Sequence, residues 1–187
     1  MKEVIDTAIE TLKKGGIILY PTDTVWGIGC DATNPDAVAK IYALKKREDS
    51  KSMIVVVHND GLLQRCVRAV PDQAWQLIDV SDKPLTLVLD GAQGLASNLV
   101  ATDGSIAIRR VNHAFCQALL SRFNKPIVST SANVSGNPSP SSFQQIDPQI
   151  IAGVDFVVPR EQEGAPTGQP SSIIKLALNG QITIIRK

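Results

Sequence analysis

Aromatic side chains are scarce in this chain of 187 residues, where Phe, Trp and Tyr make up 4% of the sequence. A platform for single-stranded RNA or DNA stacks successive bases on such rings, so their scarcity argues against one. The formal net charge is +1, and no overall field therefore draws the protein onto nucleic acid or a membrane surface. Any basic surface must come from local clustering of Lys and Arg.

Cysteines and long apolar runs are also few. Cys30, Cys66 and Cys116 are widely spaced and form no CxxC pair, so neither a zinc ribbon nor a disulfide framework is indicated. Buried thiols in a reducing cytosol are the expectation. No apolar run approaches the ~18 residues of a membrane span, and the first residues resemble an amphipathic helix more than a signal sequence. We therefore expect a cytoplasmic protein without a membrane segment.

Short apolar runs alternate with amphipathic stretches along the chain. Hydrophobic residues are 43% and charged residues 20%, as in a soluble globular protein, and the length fits one domain over 1–187. The alternation predicts an α/β fold around one sheet, with some antiparallel pairing among the last strands. Strands are predicted at 17–20, 53–57, 85–89, 105–109, 126–129, 156–158, 171–176 and 182–185, and helices at about 4–12, 35–44, 60–79, 112–123 and 142–151.

The segment Pro21–Gly29 follows a buried strand directly. Residues just beyond the carboxyl end of a strand usually face the ligand crevice of an α/β sheet. Thr22 and Thr24 offer hydroxyls there, and the two glycines of the segment allow a ligand to approach the backbone. An ordinary polar turn explains the same residues equally well. The segment also loosely matches a dinucleotide fingerprint, which we reject because the next helix begins only near Pro35.

Three basic residues, Lys45, Lys46 and Arg47, end the predicted helix that begins at Pro35. Cations at a helix C-terminus complement the macrodipole, which explains them without any ligand. The functional interpretation is a phosphate clamp, in which Arg binds two oxygens and Lys adds a point charge. The chain has no Walker A sequence, so an enzyme that uses a nucleotide would need another clamp of this kind.

A dense cluster of hydroxyl and turn-forming residues, Ser129–Pro140, follows another buried strand. Hydroxyls and loop N–H groups hold phosphate or ribose oxygens well, although the composition also fits a turn. A similar segment of small residues spans Glu161–Ser172, and loops of this length in a compact domain tend to be functional.

Arg109 ends an apolar strand, where an arginine is costly unless it is paired or binds an anion. Its partner is either a substrate carboxylate or an internal Asp or Glu. Conventional catalytic sets are missing from the sequence, and His58 and His113, which have no neighbouring nucleophile, are predicted to be surface residues.

Five segments, taken in order, resemble the YrdC-like family of threonylcarbamoyl-AMP synthases: PTDTVWGIG, LKKR, KPLTLVL, IAIRR and STSANVSGNPSP. Each is weak by itself, but five in the right order and spacing are specific. The resemblance extends from about residue 3 to the final strand. It implies the short, single-domain form of the family, with a twisted mixed α/β sheet, flanking helices and a large, positively lined concave face.

The resemblance implies that L-threonine, bicarbonate and ATP are condensed to threonylcarbamoyl-AMP and pyrophosphate, with Mg²⁺ on the triphosphate. A partner enzyme of tRNA modification would then transfer the threonylcarbamoyl group. Two alternatives stay open. One is a paralogue that handles another carbamoyl-adenylate, like the related domain of hydrogenase-maturation carbamoyltransferases. The other is an RNA-binding module, although at most weak binding of tRNA or double-stranded RNA is expected.

The resemblance also assigns residues to the two substrates. The ATP side takes the K-x-R and S-x-N signatures and further polar residues around them: Lys45, Arg47, Ser131 and Asn133, then Ser105, Ser139 and Arg186. The threonine side takes Thr24, the carboxylate-binding Arg109, Ser129 and Ser171. No catalytic nucleophile and no metal ligand from the chain are expected, because positioning and charge neutralisation suffice for the reaction.

Overall fold

The computed structural model describes residues 1–46 and 53–187. Within these ranges, six α-helices flank nine strands. The helices are α1 Lys2–Lys13, α2 Pro35–Lys45, α3 Asp60–Gln64, α4 Asp72–Val80, α5 Ala114–Phe123 and α6 Pro148–Ala152. The strands are β1 Ile18–Tyr20, β2 Gly27–Gly29, β3 Ile54–Val57, β4 Leu85–Leu89, β5 Ile106–Arg110, β6 Ile127–Ser131, β7 Phe156–Val157, β8 Ser172–Leu176 and β9 Ile182–Arg186.

The strands form one mixed sheet in the order β7-β1-β2-β6-β3-β5-β4-β8-β9. Three neighbouring pairs are parallel, namely β1 with β7, β3 with β5, and β4 with β8. The last two strands pair antiparallel, because the few residues between them leave no room for a crossover. The predicted α/β fold with a mixed sheet and an antiparallel end is therefore confirmed.

The strand alternation gives the sheet one face of core side chains and a second face on which small and polar side chains lie among apolar ones. Directly opposite residues on paired strands share a face, and the register places Val128, Val55, Ile108 and Leu87 in one row. All four are at most 1% exposed and belong to the core. The next row, on the other face, contains Ser129, Ile54, Ala107 and Val88. These residues line a cleft, and the small side chains of Ser129 and Ala107 leave room for it.

Helix α2 begins where the sequence predicts. Pro35 occupies its first turn, and the Asn34 side chain accepts hydrogen bonds from the backbone N–H groups of Asp36 and Ala37. This N-cap satisfies two of the donors that a helix start leaves unpaired. The helix ends at Lys45, and Lys46 adopts the left-handed conformation. Arg47 lies outside the described residues.

Two predicted helices are each divided by a proline. The single helix predicted at 60–79 is wrong, because α3 ends at Gln64 and α4 begins only after Pro71. A proline disfavours helical backbone at the residue before it and lacks an N–H. The single helix predicted at 142–151 is also wrong. Phe143–Gln145 forms a 3-10 turn, and Pro148 begins the separate helix α6 behind its N-cap Asp147.

Strand β2 is absent from the prediction, which treated Pro21–Gly29 as a loop. Gly27–Gly29 instead lies between β1 and β6 and pairs antiparallel with both. The backbone packs so closely there that a Cβ on Gly29 would lie 2.6 Å from Tyr20 Cε1 and 2.6 Å from the Val128 carbonyl oxygen. Glycine is thus required at this position by packing within the sheet.

The close packing predicts a large effect of Gly29→Ala. The added methyl group meets two neighbours that belong to the core, so we expect the free energy of unfolding to fall by about 1–3 kcal/mol. Gly61→Ala is the matched control, since its Cβ would have no neighbour nearer than 3.7 Å and alanine favours the helix by up to about 1 kcal/mol. Urea denaturation measures both. Equal stabilities of the two variants would contradict the close packing of β2.

Candidate functional site

A cleft of about 360 Å³ lies on the second face of the sheet, between the loop after β1, the loop after β6 and the last hairpin. It brings together residues from seven of the strands and from both segments rich in small residues. The predicted site residues that line it are Thr24, Ser105, Arg109, Ser129, Ser131, Ser139, Ser171 and Arg186. Among the described residues that line the cleft there are two arginines and no Asp or Glu.

Arg109 is 3% exposed and forms an ion pair with Asp23 through its Nη1 atom. Its Nη2 atom lies 3.4 Å from Thr24 Oγ1. Its Nε–H is buried and has no hydrogen-bond partner among the described residues. The internal acid that the sequence left open therefore exists, yet one buried donor of the guanidinium is still unsatisfied. A buried donor without a partner costs about 1–3 kcal/mol, which a ligand that accepts its proton would recover.

A second arginine, Arg186, lies at the end of β9. Its Nε donates to the Ser171 carbonyl oxygen at 2.8 Å, and its Nη2 lies 3.4 Å from Ser171 Oγ. The Ser171 hydroxyl also meets Thr86 Oγ1 at 2.7 Å. Partial burial, and then the like charge of Arg109, lower the pKa of Arg186. Two mutually repelling guanidinium groups with one internal carboxylate leave a net positive charge, which favours an anionic ligand.

The hydroxyl groups of the first loop form a fixed chain. Thr22 Oγ1 donates its one proton to the Val25 carbonyl oxygen at 2.7 Å. In its 2.9 Å contact with Thr24 Oγ1, Thr22 must therefore accept, and Thr24 donates. Because the Thr24 proton is thereby committed, its hydroxyl offers lone pairs to the cleft. Such a group suits an N–H donor better than another anion.

Ser105 is held in a similar way at the start of β5. Its hydroxyl donates to Asp103 Oδ1 at 2.6 Å, and its backbone N–H donates to the same atom at 3.0 Å. Lys175 lies 2.7 Å from the other Asp103 oxygen. These hydrogen bonds, led by that of Lys175, lower the pKa of Asp103. Asp103 therefore stays ionised and keeps the Ser105 hydroxyl in place.

The K-x-R and S-x-N signatures meet through Lys45, which is 1% exposed. Its Nζ donates to the carbonyl oxygens of Ser131 and Asn133 at 2.5 Å each. Asn133 Oδ1 accepts the Ser131 hydroxyl proton at 2.5 Å, and Asn133 Nδ2 donates to the Asn137 carbonyl oxygen at 2.6 Å. Lys45 and Asn133 thus hold the loop after β6 from behind, and neither lines the cleft.

The segment predicted to be functional at Glu161–Ser172 packs across the first loop. The N–H groups of Thr167 and Gly168 donate to the carbonyl oxygens of Asp23 and Thr24, both at 2.9 Å. Trp26 Nε1 also donates to a carboxylate oxygen of Glu163 at 2.7 Å. The segment therefore fixes the wall of the cleft that carries Thr24.

His113 is 8% exposed, so its prediction as a surface residue is wrong. Its Nε2 contacts the Glu163 carbonyl oxygen at 2.9 Å. A carbonyl oxygen only accepts, so Nε2 carries the proton. His113 thus belongs to the packing between α5 and the segment Glu161–Ser172, which the sequence pattern does not reveal.

Thiol and metal chemistry have no support in the described part of the chain. All three cysteines are buried and free, and burial raises the pKa of Cys66 to about 11 and that of Cys30 and Cys116 further. A buried thiol that stays protonated is a poor nucleophile. Within residues 1–46 and 53–187, no three His, Cys, Asp or Glu side chains come together as metal ligands do.

The sequence pattern did not reveal several side chains that pair with the predicted site residues and orient them. Asp23 pairs with Arg109, Thr86 with Ser171, and Asp103 with Ser105. The Asp-x-Ser spacing of 103 and 105 is typical of a local Asx turn and could have been recognised. Thr86 could have been found from strand alternation, since it lies opposite Arg109.

Comparison with known proteins gives matches over nearly the whole chain. The Sua5/YciO/YrdC family model, described as telomere recombination, matches residues 10–187. A threonylcarbamoyl-AMP synthase of Pseudoalteromonas translucida is 35% identical over 184 residues, which cover 97% of each chain. Within the described residues, no helix is both long and apolar enough to span a bilayer.

Solved structures with the same fold include Sua5 of P. abyssi complexed with L-threonine, at a TM-score of 0.84 and 26% identity. That match covers 92% of this chain and 50% of the Sua5 chain, so the present chain spans about half of that protein. E. coli YciO superposes with a TM-score of 0.84 at 22% identity, over 100% of this chain and 90% of YciO. The chain belongs to the Sua5/YciO/YrdC family.

Proposed function

We propose that this protein is a threonylcarbamoyl-AMP synthase, a nucleotidyltransferase that condenses L-threonine, bicarbonate and ATP. The observation that carries the proposal is the unsatisfied Arg109 Nε–H beside a cleft whose described lining residues include a second arginine and no acid. Family membership and relatives named threonylcarbamoyl-AMP synthase support it. The structural neighbour complexed with L-threonine supports the choice of amino acid.

The threonine subsite has two unlike poles. The Nε and Nη2 atoms share one edge of the Arg109 guanidinium, and this edge matches the two oxygens of a carboxylate. Thr24 offers lone pairs a short distance away, since Arg109 Nη2 lies 3.4 Å from its hydroxyl. An α-amino acid presents a carboxylate beside an amine, so it complements both groups. Ser129 and Ser171 complete the proposed subsite.

The ATP subsite occupies the rest of the cleft and the loop after β6. Ser105, Ser131, Ser139 and Arg186 line the cleft. Asn133 accepts the Ser131 hydroxyl proton and holds the loop that leads to Ser139. The phosphate contacts of Lys45 and Arg47 stay predictions. Lys45 already donates to the carbonyl oxygens of Ser131 and Asn133. It would therefore also support ATP binding indirectly, by holding Ser131 in place.

The reaction requires no covalent intermediate on the protein. The threonine nitrogen adds to the bicarbonate carbon, and a water molecule and a proton leave to give a carbamate. A carbamate oxygen then attacks the α-phosphorus of ATP while the bond to pyrophosphate breaks. Arg109 and Thr24 would orient the threonine, and Arg186 would offset the negative charge that the carbamate and phosphates bring together. Catalysis is then positioning and charge neutralisation.

Mg²⁺ would accompany ATP in this proposal. The described lining residues supply hydroxyl, apolar and guanidinium groups and no carboxylate, so they do not form a metal site of their own. Mg²⁺ is commonly held by substrate phosphates with few protein ligands, and the triphosphate would hold it here.

The product would pass to partner enzymes of tRNA modification, which places the proposed function in the cytoplasm. Carbamoyl-adenylate chemistry on another substrate is the alternative that shares this fold. RNA binding by the cleft face has less support, because a net charge of +1 and few aromatics leave at most weak, salt-sensitive contacts.

The protein should make threonylcarbamoyl-AMP without RNA. Incubation with ATP, Mg²⁺, threonine and ¹³C-bicarbonate in tRNA-free buffer should give an adenylate that carries the label, detected by mass spectrometry. Asn133→Ala should lower the yield while the protein stays folded, because the loop that carries Ser131 loses its support. The binding-module alternative would instead be favoured by absence of the adenylate together with tRNA binding that survives high salt.

Replacing Arg109 and varying the amino acid both test the threonine subsite. Arg109→Lys keeps a positive charge but loses the paired N–H donors of the guanidinium. We expect threonine to bind about 10- to 100-fold more weakly, because a charge-assisted hydrogen bond is worth about 1.5–3 kcal/mol. Serine should react only modestly less well than threonine, because the missing methyl group is worth about 1 kcal/mol or somewhat more. Valine should react poorly, since it lacks the hydroxyl. Equal rates of adenylate formation with valine and threonine would contradict a subsite that reads the hydroxyl.

A further inference from the structure

Asp23 contacts Arg109 but is not among the residues that line the cleft. Its side chain is 10% exposed, and it borders two other cavities, of about 610 and 320 Å³. The Asp23–Arg109 ion pair therefore separates the cleft from the space behind it. From this position, a carboxylate can act on a ligand in the cleft through its partner.

Both oxygens of the Asp23 carboxylate are occupied. One accepts from Arg109 Nη1, and the other accepts the backbone N–H of Asn112 at 3.0 Å. The backbone of Asp23 is also fixed, since its carbonyl oxygen accepts the N–H of Thr167 at 2.9 Å. The carboxylate is thus held by Arg109 and by the backbone just after β5, while the segment Glu161–Ser172 holds the main chain of Asp23, so the side chain has little freedom to turn.

This arrangement determines which edge of the Arg109 guanidinium is available. Asp23 takes Nη1, and Nη2 shares the other edge with Nε. That edge carries the buried Nε–H without a partner in the described residues and the 3.4 Å contact to Thr24. Without Asp23, the guanidinium could turn about its last bonds and satisfy Nε elsewhere. A fixed guanidinium loses less conformational entropy when a carboxylate binds to it.

Asp23 also changes the charge that a ligand meets. Its negative charge offsets that of Arg109, so the threonine subsite without ligand is close to neutral, and the charge of Arg186 remains for the phosphate end. A zwitterionic amino acid fits such a subsite better than a simple anion does.

We propose that Asp23 is a positioning residue that sets the affinity for the amino acid by holding Arg109 with its Nε–Nη2 edge free for a carboxylate. The proposal rests on the proposed function, because it assumes that threonine binds at this edge. It goes further than that function because it predicts a selective effect: Asp23 should affect threonine binding and leave ATP binding unchanged.

Calorimetric titration of Asp23→Asn with threonine and, separately, with ATP tests this separation. We expect at least tenfold weaker threonine binding and an ATP affinity within twofold of wild type. Asp31→Asn is the matched control, because Asp31 is 4% exposed and pairs with Lys125 at 2.7 Å in another part of the sheet. It should leave threonine affinity unchanged. If both variants lose threonine affinity equally, the effect is a general loss of structure and the proposal is overturned.

A double-mutant cycle with Arg109→Lys shows whether Asp23 acts through Arg109. Adding Asp23→Asn to the Arg109→Lys protein should change threonine affinity less than threefold, because the guanidinium that Asp23 holds is already absent. If the two substitutions weaken threonine binding by independent factors that multiply in the double mutant, the proposal is overturned. If Asp23→Asn does not fold, Asp23→Glu replaces it in both tests; it keeps the charge but displaces it, and the same selective loss is expected.

The two proposals fail in different ways. If wild-type protein does not bind threonine, the proposed function is contradicted and the role of Asp23 falls with it. If wild-type protein binds threonine and Asp23→Asn binds it equally well, the role of Asp23 alone is contradicted.

Discussion

The ion pair between Arg109 and Asp23 joins the floor of the cleft to the loop that forms its wall. Both side chains are at most 10% exposed, so each gives up most of its hydration. Replacing such a pair by apolar residues is often neutral or stabilising, which means that stability alone explains it poorly. Its geometry explains it better, because the carboxylate fixes the guanidinium and leaves one edge with an unsatisfied donor.

The rest of the structure supplies a rigid support for this pair. Alternating residues of β3, β4, β5 and β6 place one set of side chains in the core and the other set along the cleft. The loops at the rim are held by buried polar contacts, such as that of Lys45 with the carbonyl oxygens of Ser131 and Asn133. A site that recognises two substrates by positioning them depends on such support, since small displacements weaken it.

The sequence predicts the fold well where its pattern is periodic. Apolar runs correctly predicted β3 to β6, and the Asn-Pro signal correctly predicted the start of α2. Strand β2 escaped because three residues with two glycines show no strand pattern. The two divided helices were predicted as single helices because their apolar spacing continues across Pro71 and Pro148, although the helical backbone is interrupted there.

The candidate site was predictable in part. Thr24, Ser129 and Arg109 do line one cleft, because Ser129 and Arg109 lie on the same face of the sheet and the loop with Thr24 contacts Arg109 on that face. The partner of Arg109 was not predictable, since Asp23 is 86 positions away and many acids could have filled that role. The buried position of Lys45 was likewise hidden, because a basic residue at a helix end is usually exposed.

An NMR titration that follows arginine Nε–H resonances tests the central claim most directly. The Arg109 signal is identified by its loss in Arg109→Lys, which leaves the other arginines in place. Addition of threonine should shift this signal strongly, as a new charged hydrogen bond to Nε forms, whereas threoninamide, which has no carboxylate, should leave it unchanged. The account is contradicted if threonine binds, as calorimetry would show, while the Arg109 Nε–H resonance does not move.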